Sequence, residues 1–137
     1  MGENVPFTGG VQGADGPGKS FVYIPSLKAV EDITFDHVYL GVPRDKARED
    51  WLKTTEQIVA LNPAIIVPGH EGLGATRDLA TLVFMKKYIA DRDANVAASH
   101  DAAEMRAKVL KKYPGLGMEF TLNDRVATYF PPASEGK

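Results

Sequence analysis

The sequence predicts a mixed α/β fold: a small, mainly antiparallel sheet with two or three helices on one face. Three observations predict it. Ala47, Trp51, Thr55, Ile58 and Leu61 recur close to helical spacing, and a similar pattern returns further on in Leu79, Leu82, Val83 and Ile89. Two short runs rich in β-branched and aromatic residues, SFVYIP and AVEDITF, precede the first helix. The apolar run Ala64 to Val67 follows it and is too short for a helix.

The chain has 137 residues, enough for one domain with its own core. Hydrophobic content of 44%, charged content of 25% and a formal net charge of -2 are those of an ordinary globular protein. They supply no global attraction to nucleic acid or to an anionic membrane, and neither is expected as a partner. Cysteine is absent, which excludes disulfides, thiolate metal sites and cysteine nucleophiles. The start, MGENVPFTGG, has neither a basic n-region nor an apolar h-region, so the expectation is a cytoplasmic chain.

Residues 1–19 are glycine-rich and poor in apolar side chains, and read as a flexible arm or loop ahead of a single domain over 20–130. SFVYIP and AVEDITF read as two strands joined by a turn at Pro25-Ser26. Pro43 and Asp45 open an amphipathic helix that Asn62-Pro63 ends. Ala64 to Val67 reads as a buried strand stopped by Pro68-Gly69, with His70 directly after it. Thr76 is the expected N-cap of the next helix, which runs to about Ser99. Asp101 and Glu104 have capping-box spacing, and Ala102, Met105, Val109 and Leu110 continue a third helix to Pro114-Gly115. Met118 to Phe130 fits a short helix or a strand, and 131–137 is expected to be disordered. The expected core is Trp51, Ile58, Ile65, Ile66, Leu82, Val83 and Met105.

GADGPGKS, from Gly13 to Ser20, fits the phosphate-loop pattern G-x-x-x-x-G-K-[ST]. Such a loop needs a buried strand before it and a helix after it, so that backbone N–H groups and a helix N-terminus converge on phosphate. Here FTGGVQ precedes it, and FVYIPS follows, where β-branched and aromatic residues and Pro25 oppose a helix. A glycine-proline turn leading into a strand, with Lys19 solvated, is the better reading, and nucleotide binding is the least favoured of three function classes.

SFVYIPSLKAVEDITFDHVYLG, REDWLKTTEQIVALNP and AIIVPGH, taken in order, resemble the C-terminal half of a metallo-β-lactamase-fold hydrolase. The resemblance covers about Gly10 to Phe130 and implies half of an αββα sandwich. It makes His70 of PGH the last histidine metal ligand and Asp32 the metal-bridging aspartate, with Glu31 where a glycine is usual. It implies a divalent metal such as zinc, and attack by metal-bound hydroxide on an ester, thioester, amide or phosphoester. The H-x-H-x-D-H motif of the N-terminal half has no counterpart here, and the loop histidine falls where this chain carries Ala14.

Asp32 and His70 are two donors, whereas catalytic zinc typically takes three plus water. Each reads either as a remnant ligand or as a structural residue such as a capped turn. His37 reads as a surface or strand-end polar residue, and His100 as a helix-start residue, rather than as ligands. The chain is therefore expected to be a hydrolase half-domain, not catalytically competent alone, with substrate unknown. The alternative is a non-catalytic binding module, with or without metal. In either case the missing half leaves an apolar sheet face, to be covered by a second copy or by a separate N-terminal half-chain.

Overall fold

The computed structural model of the protein describes residues 2–14, 16–31 and 33–131. Where an arm was expected over 1–19, the chain forms a hairpin. β1 (Phe7–Gly13) and β2 (Gly16–Ile24) pair antiparallel, with Phe7 opposite Val22 and Gly13 opposite Gly16. Glycine content here serves irregular pairing instead of disorder. The register slips between Gly9 and Val11, where Gly10 takes φ 72°, a left-handed conformation open to glycine. Gly13 and Gly16 of GADGPGKS thus face each other across this hairpin, and Lys19 and Ser20 lie inside a strand where a phosphate loop would begin a helix.

A 3-10 turn at Pro25–Leu27 reverses the chain into β3 (Ala29–Glu31), antiparallel to β2 with Val22 opposite Glu31. This is the hairpin expected across Pro25-Ser26. After the two-residue β4 (Phe35–Asp36) comes α1 (Asp45–Ala60), which ends ahead of Asn62, at φ 46°, and Pro63. β5 (Ile65–Val67) then lies parallel to β3, so α1 sits in a β-α-β crossover and the sheet order is β1-β2-β3-β5. β6 (His70–Glu71) pairs in parallel with β4 as a second, two-stranded sheet.

α2 (Leu79–Ala97) is capped by Asp78, whose carboxylate accepts the Ala80 N–H at 2.8 Å, and not by Thr76. α3 (Ala102–Lys112) starts as expected, with Asp101 accepting the Glu104 N–H at 2.8 Å. Glu104 reaches back to the N–H of His100, one residue beyond the usual capping-box partner. The ambiguous segment from Met118 is helical, α4 (Glu119–Tyr129), so the described residues hold four helices. Residues 132–137 of the expected disordered tail lie outside the described residues. Among the described residues, no helix is long and apolar enough to cross a membrane.

Strand alternation and register divide the larger sheet into two faces. Phe21, Val30 and Ile66 point inward and join Trp51 and Ile58 of α1, Leu82, Met85 and Ile89 of α2, Met105 of α3, and Leu122 and Val126 of α4 in one buried cluster. Of the expected core, Trp51, Ile58, Ile66, Leu82 and Met105 are buried, but Ile65 is 41% and Val83 66% exposed. Ile65 fails because the pleat turns it to the other face, and Val83 because it is one helical step off the stripe that Leu82 and Met85 occupy.

The outer face carries Phe7, Val22, Ile24, Ile65 and Val67 around a single charged residue, Glu31. No described helix covers it: Phe7 is 68% and Val67 39% exposed. An exposed apolar sheet face was expected, and Phe7, Ile65 and Val67 expose one.

Candidate functional site

His70 is placed by the end of β5. Ile66 anchors the strand in the core, Pro68 and Gly69 stop it, and the Gly69 N–H donates to the Thr34 carbonyl at 2.9 Å, which fixes the turn. His70 then pairs with Phe35, and its ring lies against the Phe35 ring at 5.2 Å between centroids. The imidazole is exposed and makes no hydrogen bond to a described residue.

Cavities open on both sides of this turn. One, of about 340 Å³, is walled by Ser20, Phe21, Val22, Glu31, Pro68 and Gly69. The other, of about 160 Å³, is walled by His70 together with Ala14, Phe35, Tyr39, Gly41, Met118, Thr121 and Arg125. Ala14, which stands where the resemblance expects a histidine, thus shares a cavity with His70 and is itself 3% exposed. Asp32, the other expected ligand, lies outside the described residues; its neighbour Glu31 walls the first cavity.

A metal needs more donors than this. Among the described residues, no group of three or more His, Cys, Asp or Glu side chains could hold a metal ion. The described donors therefore do not make a metal site by themselves. His37 and His100 do not join His70. His37 packs flat on Phe84, with centroids 5.4 Å apart and planes at 11°, and binds Asp36. The His100 side chain is 92% exposed and holds Glu104 at the start of α3.

Sequence reasoning missed Asp36. It is fully buried, and three groups meet its carboxylate: His37 Nδ1 at 2.6 Å, the Thr76 N–H at 3.0 Å and the Thr81 hydroxyl at 2.9 Å. Together they tie β4 to α2 and to the loop ahead of it. His37 takes φ 53°, a conformation that its contacts with Asp36 and Phe84 help to hold. The only sequence signal was an acidic residue inside the apolar stretch ITFDHVYLG.

A third cavity, of about 230 Å³, is bordered by Arg44, Arg48, Arg92, Asp93 and Tyr129. Its cations are already engaged. Arg48 binds Asp93 at 2.7 Å, while Arg92 reaches the Pro43 carbonyl and lies over the Tyr129 ring at 4.7 Å. Arg44 takes the same ring at 5.0 Å. Burial lowers the pKa of Arg92 against the raising effect of Tyr129 and Asp93, and the cluster serves to seat α2 against α1 and α4.

No protein-family model matches the sequence, and no curated protein matches it.

Proposed function

We propose that this chain is a metallo-β-lactamase-like hydrolase half-domain. It offers Asp32 and His70 to a divalent metal site that a second polypeptide completes, and it is not catalytically competent alone. The observation that carries this reading is the outer sheet face, where Phe7, Ile65 and Val67 are exposed beside half-buried Val22 and Ile24, ending at the Pro68-Gly69-His70 turn. A chain seated on that face would bury apolar surface and bring its own donors to the edge where Glu31 and His70 lie. The shared cavity of Ala14 and His70 also supports it, since a histidine at position 14 would face the same space.

The role assigned to this chain's residues is limited to holding and aiming. The strand end positions His70, and the apolar face supplies the docking energy. Coexpression with the coding segment that lies upstream, followed by co-purification, metal analysis and an ester-hydrolysis assay, tests the proposal. An equimolar complex that carries zinc and hydrolyses ester supports it. A metal-free chain with no H-x-H-x-D-H sequence encoded upstream overturns it.

The second reading, a non-catalytic module that homodimerises through the same face, is favoured by the lack of a three-donor group among the described residues. Sedimentation equilibrium with metal analysis separates the two: a metal-free dimer belongs to the second reading, and a metal-free monomer ends it.

A further inference from the structure

The cavity of about 160 Å³ beside His70 is walled by a cation with nothing to bind. Arg125 is half-buried and forms no hydrogen bond or ion pair with any described residue. The Thr121 hydroxyl oxygen is buried without a hydrogen-bond partner. Both lie on α4 at i and i+4, which puts them on one face of the helix. Gly41 fixes how close they come: a Cβ there would stand 3.1 Å from Thr121 Cγ2 and 3.3 Å from Arg125 Nε. The Tyr39 hydroxyl, by contrast, is spent on the Tyr113 carbonyl at 2.7 Å, so only its ring serves as wall.

We infer that this cavity binds a short aliphatic carboxylate, its two oxygens on the Arg125 guanidinium and its tail against Phe35, Met118 and Ala14. Charge and geometry favour an oxyanion, because the guanidinium fork matches two carboxylate oxygens. The apolar walls favour a carboxylate with a tail over phosphate, whose second charge they could not solvate. Size limits the tail, since the cavity is well below the roughly 300–1,000 Å³ of drug-sized ligand pockets. This inference does not rest on the half-domain reading, and it is tested on the free chain without metal or partner.

The experiment is titration of the full chain with sodium butyrate, followed by calorimetry and by ¹H–¹⁵N correlation spectra. Saturable shifts are expected at Gly41 and along the first turns of α4. Arg125→Gln should weaken binding about tenfold or more, and Arg125→Lys, which keeps the charge but loses the fork, should weaken it less. Far-UV circular dichroism confirms that each variant is folded, and should one misfold the other remains decisive. The inference is overturned by an absence of saturable binding, by variants that bind like the parent, or by inorganic phosphate or n-butanol binding as tightly as butyrate.

Discussion

Replacing Asp36 with alanine removes the acceptor for three donors in one place. The Thr81 hydroxyl, on a residue 0% exposed, would be left buried and unpaired, at a cost of about 1–3 kcal/mol. The Thr76 N–H, on an exposed residue, can recover water and adds about 1 kcal/mol at most. Loss of the His37 contact removes a hydrogen bond from a half-buried ring and adds a comparable amount, on the order of 1 kcal/mol. The expected total is about 2–5 kcal/mol, a large part of the roughly 5–15 kcal/mol that stabilises a domain. Urea unfolding followed by circular dichroism measures it. A double-mutant cycle with Thr81→Val isolates the hydroxyl: Asp36→Ala should cost about 1–3 kcal/mol less in that background, because the orphaned donor is gone. A loss below about 1 kcal/mol for Asp36→Ala, or no coupling to Thr81, would refute the view that this carboxylate holds β4 to α2.

Ile66→Ala, at a residue 0% exposed, should cost about 2–5 kcal/mol in the same assay, and a cost near zero would contradict the assignment of the inner face. Val67→Asp, on the outer face, should leave stability within about 1 kcal/mol of the parent and abolish any concentration-dependent association seen by sedimentation. Acid should destabilise the protein through Asp91 and Glu104. Burial raises the Asp91 pKa, but hydrogen bonds from Lys112, Lys87 and Tyr113 outweigh it and hold it well below the usual carboxylate range. Lys108, with further help from His100, lowers Glu104 to about 2. Both folded values lie below the unfolded ones, so their contribution is whole above about pH 4–5 and is lost as pH falls toward the folded values. The melting temperature should drop over that window, and Asp91→Asn should flatten the drop; an unchanged slope would count against the network.

Elements with a local signature were legible in the sequence. α1 carries its stop in Asn62-Pro63, α3 its start in Asp101 and Glu104, and β5 its length in the brief apolar run before Pro68. β1 was hidden because glycine weakens a strand in isolation, and here the partner strand and the bulge at Gly10 decide the outcome. β4 and β6 have two residues each, too few for any periodicity. For the candidate site, the strand-turn-histidine order announced where His70 would stand. Nothing local announced that Ala14, Thr121 and Arg125 would meet it, since they come from the first hairpin and the last helix. Asp36 was illegible for the same reason: its partners Thr76 and Thr81 are far along the chain, and a buried carboxylate is recognisable only by what surrounds it.

The parallel pairing of β5 with β3 orders events in time. β1, β2 and β3 are joined by short turns and can zip together as soon as they leave the ribosome, but β5 can add only after the whole of α1 has been made. Until then Val30 has no neighbour on its free edge, and the inner face of the three-stranded meander has no helix above it. Nascent chains therefore pass through a stage in which both faces of the sheet are wet. The arrival of α1 and α2 dries only one of them.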